Sequence, residues 1–186
     1  MMPGMARRTV SGLRIAGTAA VILLAVSALP AGAQTAIPAG LVGEWVGRTV
    51  EAEPPLGEFG EPARLTVEAK GSGFTLGTAL GELRPLGVTM AATAQPGVFG
   101  PSAGGGVLSM FRADDPPDPL AGEPLQWARL SGDQLIVYVF AIEKTGSFIL
   151  DRYVLARDGE ELTLQLGRRT GVDDEHRLVA RLARAS

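Results

Sequence analysis

Cysteine is absent from the sequence, and histidine occurs once, as His176. The lack of cysteine excludes disulfides, thiol catalysis and cysteine-based metal sites, so the fold must depend on core burial and a hydrogen-bonded sheet. A zinc site of histidines and carboxylates would have a single imidazole to offer. A serine triad would need His176 as its base, and the sequence has no Gly-x-Ser-x-Gly elbow. We therefore predict no catalytic residues, with an uncharacterised hydrolase as the last of three functional hypotheses.

Lysine is scarce, and the overall charge is acidic. The chain has 17 basic and 20 acidic residues, and its only lysines are Lys70 and Lys144. Residues 1–33 contain three arginines and no acidic residue, so the other 153 residues carry 14 basic and 20 acidic groups, a net charge of −6. Nucleic-acid binding requires clustered cations to contact phosphates, so this balance argues against a nucleic-acid partner.

The chain begins with basic, then apolar, then small residues, an order typical of a secretory signal peptide. Three arginines precede an apolar run at 15–29, and Ala31-Gly32-Ala33 matches a small-x-small cleavage site. The run is shorter than the roughly 20 residues that a spanning helix needs, which favours cleavage over a retained membrane anchor. We predict a signal peptide at 1–33, cleaved after Ala33, and a single periplasmic or secreted domain at 34–186 with no stable membrane anchor.

Apolar and polar residues alternate with period two along the rest of the chain, and glycine turns separate the alternating segments. In 63–70, Leu65, Val67 and Ala69 fall on one face, and 74–80 reads as the second strand of a hairpin. The C-terminal third repeats the pattern in four segments joined by short turns, which predicts an antiparallel meander. These segments are 133–143, 147–157, 161–169 and 176–184.

The middle of the chain is less regular and richer in proline and glycine. We predict loops at 54–62, 95–106 and 113–124, with short strands at 107–113 and 124–130. The count reaches eight to ten strands with no obligatory helix. Because closure removes every sheet edge, we predict an all-β, antiparallel up-and-down barrel, with a two-sheet β-sandwich as the alternative.

The tripeptide Gly43-Glu44-Trp45 opens the first predicted strand. A Gly-x-Trp at this position, followed by a meander, resembles the lipocalin and wider calycin superfamily of small β-barrels. The resemblance implies that Trp45 closes one end of the barrel and stacks on an arginine of the last strand, with Gly43 giving the ring room. A guanidinium over an indole ring gains about 0.5–2 kcal/mol. The candidate arginines are Arg177, Arg181 and Arg184.

The final segment, 176–184, is similar to the last strand of nitrobindin-type barrels, in which a histidine ligates haem. That resemblance implies His176 as a haem ligand. The alternative is an exposed polar residue that follows the turn at 171–175. We predict no cofactor and an exposed polar role for His176, with haem binding as the alternative that the resemblance implies.

The loop at 113–124 collects four carboxylates that could attract a hard cation such as calcium. It lacks the repeated Asp-x-Asp-x-Asp-Gly spacing, and its prolines restrict how the carboxylates converge. We predict a solvated acidic loop and no metal site. The four residues are Asp114, Asp115, Asp118 and Glu123.

Aromatic side chains make up 5% of the sequence and supply the candidates for a ligand pocket inside the barrel. They are Trp45, Phe74, Trp127, Tyr138 and Phe140; the alternative is that they fill the core. We predict a non-catalytic module that binds a small apolar or amphipathic ligand. The alternative function is an envelope protein-interaction module with a filled barrel, which contacts its partner through 112–124 and the outer face of 135–142.

Overall fold

A computed structural model describes residues 36–102, 117–173 and 175–186. Within these ranges the chain forms ten strands and two short 3-10 turns, Ala39–Leu41 and Pro119–Ala121, and no helix there is long and apolar enough to span a bilayer. The predicted signal peptide and the predicted strand at 107–113 lie outside the described residues. The strands are β1 (Gly43–Ala52), β2 (Pro62–Lys70), β3 (Gly73–Leu80), β4 (Leu86–Ala92), β5 (Val98–Pro101), β6 (Leu125–Ser131), β7 (Gln134–Ile142), β8 (Phe148–Asp158), β9 (Glu161–Thr170) and β10 (His176–Arg184).

The ten strands close into one antiparallel barrel in which each strand pairs with its neighbours along the chain. The first and last strands complete the ring, with Trp45 opposite Arg184 and Arg48 opposite Arg181. Pairing of the first strand with the last leaves neither of them as a free sheet edge. The predicted up-and-down barrel is confirmed, and the sandwich alternative is wrong.

Tight glycine turns fix the register of the hairpins. Lys70 pairs with Gly73 across a two-residue turn, and Gly71 in that turn has a φ of 58°. A positive φ at the first of the two turn residues is what a type II′ hairpin turn requires, and glycine adopts it without a steric penalty. The predicted hairpin of 63–70 with 74–80 is therefore present as β2 and β3.

The core is built from the apolar residues that alternate along each strand. Paired residues of neighbouring antiparallel strands point to the same side of the sheet, so the apolar positions form continuous rows inside the barrel. Leu164 lies opposite Leu155 on one side and Ala180 on the other, and all three are fully buried. Burial of such side chains, at about 25 cal/mol per Å², is the main stabilising contribution that this cysteine-free chain has.

Two strands differ from the sequence-based expectation. β5 lies inside the stretch 95–106 that was predicted as a loop, and β4 was not predicted at all. β5 has four residues and is flanked by proline and glycine, so its composition resembles a turn. It is a strand because it pairs with both neighbours, through Ala92–Phe99 and Phe99–Ala128.

The two ends of the barrel are different. At one end the Ala39–Leu41 turn lies against Trp45, whose indole Nε1 donates a hydrogen bond to the carbonyl of Leu41 at 3.0 Å. Both residues are buried, so this end is filled by side chains. At the opposite end the inward-facing positions of β8 and β9 change from leucine to Asp151 and Arg168, and a cavity is present there.

Candidate functional site

The cavity has a volume of about 550 Å³ and lies at the Asp151 end of the barrel. Strands β4, β6, β7, β8 and β9 contribute inward-facing residues to it, together with residues of the connections before β4 and β6. A volume of this size is in the range that small-molecule sites occupy. Its apolar wall consists of Pro85, Leu86, Pro124, Val139, Ala141 and Ile149, and its polar wall of Arg84, Gln126, Asp151, Tyr153 and Arg168.

Asp151 and Arg168 form a bidentate ion pair across the cavity wall. Arg168 Nε donates to Asp151 Oδ1 and Arg168 Nη2 donates to Asp151 Oδ2, each at 2.7 Å. The two residues face each other on β8 and β9, and their side chains are 26% and 10% exposed for arginine and aspartate respectively. The hydrogen bonds to Asp151 raise the pKa of Arg168, which outweighs the opposing effect of burial. The guanidinium of Arg168 therefore keeps its charge, and its bidentate contact with the Asp151 carboxylate forms an ion pair without net charge.

Tyr153 lies two residues beyond Asp151 on the same inward face of β8. Burial raises the pKa of the Tyr153 phenol far above its ordinary value, and the charge of Asp151 raises it further, while Arg168 opposes the shift. The phenol is consequently a protonated hydroxyl that donates and accepts hydrogen bonds. It offers no phenolate as a base or nucleophile at neutral pH.

A single row of cross-strand neighbours links the polar residues of the site. Arg168 faces Asp151, Asp151 faces Val139, and Val139 faces Gln126. On the other side of Arg168, the neighbour is His176 at the start of β10. The sheet thus positions these side chains on one side of the barrel wall, because antiparallel pairing keeps facing residues on one side.

His176 is half-buried and is not among the described residues that line the cavity. The cavity wall, as far as the structure describes it, therefore offers no imidazole to a haem. The guanidinium that faces His176 is already bound to Asp151. The described residues of this cavity therefore do not fit an imidazole-ligated haem.

The arginine over Trp45 is Arg184. Its guanidinium carbon lies 5.0 Å from the centroid of the Trp45 ring, and its Nη2 donates to the carbonyl of Val42 at 3.0 Å. Gly43 has a φ of 139°, and a Cβ there would lie 3.3 Å from Arg184 Nη1. Glycine at this position thus gives the arginine room beside the first strand.

The other two candidate arginines lie elsewhere on β10. Arg177 is an exposed residue that lies 3.9 Å from Glu51, and Arg181 is exposed on the outer face. Neither is the arginine over Trp45, which corrects that part of the end-plug prediction. The reason is register: Trp45 lies opposite Arg184, whereas Arg181 lies opposite Arg48.

Three of the five predicted pocket aromatics lie on the outer face of the barrel. Trp127 stacks on Tyr138 with ring centroids 5.0 Å apart, and Phe140 stacks on Phe148 at 5.9 Å. Trp127 is 37% exposed, while its neighbour on β6, Ala128, is fully buried. The prediction that Trp127, Tyr138 and Phe140 line a pocket is therefore wrong, because β7 is apolar on both faces and alternation alone does not say which face points inward.

The remaining two pocket candidates fill the core. Phe74 is fully buried and meets Phe99 edge to face, with centroids 5.2 Å apart. Trp45 is also fully buried, at the filled end of the barrel. Neither residue is part of the cavity wall that the structure describes.

The acidic loop is described only in part. Asp114 and Asp115 lie outside the described residues. Asp118 caps the Pro119–Ala121 turn, because its Oδ1 accepts from the amide of Leu120 at 2.9 Å, and Glu123 accepts from the amide of Asp118 at 3.2 Å. Among the described residues no group of three or more acidic or histidine side chains is placed to hold a metal ion.

Arg168 is absent from the residues that the sequence predicted for a site, and Asp151 and Tyr153 had no predicted role. A signal for all three exists. Asp158 pairs with Glu161 across the two-residue turn Gly159-Glu160, and counting outward along both strands from that turn places Asp151 opposite Arg168. Both positions are in phase with buried leucines, so a charged residue in the inward phase of each strand marks the pair.

Comparisons with known proteins name no family for this chain. No protein-family model matches the chain, and no curated protein matches it. A solved structure, the crystal structure of Rv2717c from M. tuberculosis, is similar with a TM-score of 0.45 and 17% sequence identity, over 80% of this chain and 94% of that chain. A likeness of this size assigns neither a family nor a function.

Proposed function

We propose that this chain is an exported, non-catalytic β-barrel protein of calycin-like architecture that binds a small amphipathic ligand in the cavity beside Asp151 and Arg168. The observation that carries the proposal is the cavity itself, which measures about 550 Å³ at one end of an otherwise filled barrel. Ligand sites in barrels lie at such mouths. A barrel built only as a structural module would gain stability by filling this space.

The wall of the cavity supports an amphipathic ligand over a purely apolar one. Leu86, Val139 and Ile149 provide an apolar surface, and Tyr153 with the Asp151–Arg168 pair provides hydrogen-bonding groups. Polar groups of this kind orient a ligand whose apolar part supplies most of the affinity. A ligand with one polar group and a short hydrocarbon body matches both surfaces.

The state of the polar residues supports binding over catalysis. Asp151 is held by two hydrogen bonds from Arg168, and burial keeps Tyr153 protonated. A general base needs a free lone pair with a pKa near the working pH, and a nucleophile needs activation by such a base. The protonated Tyr153 meets neither condition, and both carboxylate oxygens of Asp151 already accept hydrogen bonds from Arg168.

Export rests on the leader. The basic, apolar and small-residue order of residues 1–33 is that of a secretory signal. A fold without cysteine forms no disulfides and does not depend on the redox state of its compartment, so this composition is compatible with export. Sequencing the N-terminus of the protein recovered from its natural host tests this part; a mature chain that starts at Gln34 is expected, and an intact leader would contradict it.

Native mass spectrometry with a panel of single-chain amphiphiles tests ligand binding. We expect one molecule bound per barrel. Ala141→Phe adds a ring to the cavity wall and should abolish binding. Ala79→Phe, at an exposed position on the outer face of β3, is the matched control and should bind like the wild type. Equal binding by both variants, or uptake of no panel member by the wild type, would overturn the proposal.

A second candidate, a protein-interaction module, is supported by the aromatic outer face. The Trp127–Tyr138 and Phe140–Phe148 stacks lie side by side on β6, β7 and β8. Exposed aromatic clusters are enriched at protein interfaces. A photo-crosslinking residue at position 127 should capture one defined partner, whereas the same residue at exposed position 79 should not; equal labelling from both positions would rule this candidate out.

A further inference from the structure

The charge of the cavity restricts the kind of polar group that it accepts. Resting on the proposed function, we infer that the ligand presents an uncharged hydrogen-bond acceptor, such as an amide, ester or ketone carbonyl, to Tyr153 and Arg168, and that Asp151 is the residue that excludes carboxylates. Asp151 thereby acts as a specificity-determining residue for the head group of the ligand.

The geometry of the ion pair is the first reason that a carboxylate is excluded. The arginine fork is the group that proteins use to bind carboxylates in a bidentate manner. In this cavity the fork of Arg168 is already occupied by Asp151, through Nε and Nη2 at 2.7 Å each. A ligand carboxylate would have to displace Asp151 from the guanidinium or lie beside it as a second anion.

The charges around the ion pair are the second reason that a carboxylate is excluded. Asp151 and Arg168 cancel each other, so the deep part of the cavity has no net charge to attract an anion. Their side chains are 10% and 26% exposed, and in such a partly dry place two neighbouring carboxylates repel each other with little screening by water. Moving a charged head group out of water is also costly without a partner of opposite sign.

The hydrogen-bond donors that remain in the cavity favour an uncharged acceptor. The Tyr153 hydroxyl is protonated, and Arg168 retains N–H groups on Nη1 and Nη2 beyond the two that it donates to Asp151. These donors suit a carbonyl oxygen. Gln126, which lines the same cavity, provides an amide that both donates and accepts.

Arg84 is the other charged residue of the described cavity wall, and it requires a control. It is exposed and precedes β4 at the mouth. An exposed cation is screened by water and salt, so its attraction for a carboxylate is weak. The Arg84→Gln variant separates any attraction at the mouth from selection in the deep part of the cavity.

The test uses octanoate, octanamide and methyl octanoate, which share a hydrocarbon chain and differ in the head group. Their dissociation constants are measured by calorimetry at about pH 8, at which octanoic acid is ionised. We expect the wild type to bind the amide and the ester at least about tenfold more tightly than octanoate. Asp151→Asn keeps the shape of the side chain and removes its charge. We therefore expect this variant to raise the affinity for octanoate relative to the affinity for octanamide by about tenfold or more.

The control and the outcomes separate this inference from the proposed function. Arg84→Gln reports how much the mouth contributes to this ratio of affinities, whereas Asp158→Asn, which removes the charge of an exposed carboxylate outside the described cavity wall, is the matched control and should leave the wild-type ratio unchanged. If the wild type binds none of the three compounds, the proposed function fails. If it binds them but prefers octanoate, or if Asp151→Asn leaves the ratio unchanged, the inference is overturned while the binding function stands. The wild-type ratio alone decides the matter if the Asp151→Asn protein does not fold.

Discussion

Arg184 of the last strand lies over the indole ring of Trp45 on the first strand, with its guanidinium carbon 5.0 Å from the ring centroid. The same guanidinium donates to the carbonyl of Val42 at 3.0 Å, just before β1 begins. One side chain therefore bonds the two strands whose pairing closes the barrel. This contact stabilises closure at the filled end, opposite the cavity.

Removing this arginine should weaken the barrel by a measurable amount. Arg184→Ala loses a cation–π contact and a hydrogen bond, and we expect the free energy of unfolding to fall by about 1 kcal/mol. Urea unfolding, followed by the combined fluorescence of Trp45 and Trp127, measures the change. Arg181→Ala, on the same strand but on the outer face opposite Arg48, should stay within about 0.5 kcal/mol of the wild type. Equal losses in the two variants would show that the contact between Arg184 and Trp45 adds nothing to the free energy of unfolding.

Gly43 is expected to resist substitution for two reasons that act together. Its φ of 139° is rare for a residue with a Cβ, and the added atom would lie 3.3 Å from Arg184 Nη1. We expect Gly43→Ala to lower the free energy of unfolding by about 1–3 kcal/mol.

Gly77→Ala is the matched control for that substitution. Gly77 lies in β3 at an ordinary φ, and the nearest atom to a Cβ there is 4.0 Å away. Both substitutions restrict the unfolded chain equally, so their difference reports the strain in the folded state. We expect Gly77→Ala to be neutral or to stabilise the barrel by up to about 1 kcal/mol; a Gly43→Ala protein as stable as this control would contradict the prediction.

The fold was predictable because one face of most strands is polar. In β2 and β9 the leucines and valines alternate with charged or polar residues, and this pattern specifies both the strand and its inward face. β7 carries no such information, since it is apolar on both faces. The face assignment of Tyr138 and Phe140 therefore failed, although the strand itself was predicted.

The site was harder to predict because its key contact joins residues from different strands. Asp151 and Arg168 are 17 positions apart, and only the register of the β8–β9 hairpin brings them together. A prediction that ranks residues by type passes over one arginine in an arginine-rich chain. A prediction that first fixes the hairpin register at Gly159 finds a charged residue in the inward phase of both strands.

Removing one partner of the Asp151–Arg168 pair should destabilise the barrel more than replacing both partners. Asp151→Ala leaves a guanidinium in a mostly buried place without its partner, and we expect a loss of about 2 kcal/mol or more in the free energy of unfolding. Arg168→Met combined with Asp151→Leu replaces both charges with apolar side chains. This double variant should recover most of that loss, because no unpaired charge remains.

A matched pair on the outer face provides the comparison. Arg152 and Glu175 lie 2.7 Å apart, but their side chains are 48% and 36% exposed. We expect Arg152→Ala to cost less than about 1 kcal/mol, as is usual for an exposed ion pair. Urea titrations of all the variants at one salt concentration give the comparison, and a double variant no more stable than Asp151→Ala would contradict the assigned role of the pair.

The phenol of Tyr153 predicts a loss of stability in alkali. Burial raises its pKa in the folded state, whereas in the unfolded chain it returns to about 10. Above about pH 10 the unfolded state therefore binds fewer protons than the folded state, and the free energy of unfolding falls as the pH rises. Below that pH the phenol is protonated in both states, so it adds no pH dependence to the free energy of unfolding.

Tyr153→Phe removes the phenol, so the stability of this variant should decline less steeply than that of the wild type between about pH 10 and pH 12. Tyr138→Phe leaves Tyr153 as the one tyrosine of the chain, and in that variant the tyrosinate absorbance should rise only together with unfolding. A tyrosinate signal that appears near pH 10 while the barrel is still folded would show that the Tyr153 hydroxyl is not buried beside Asp151.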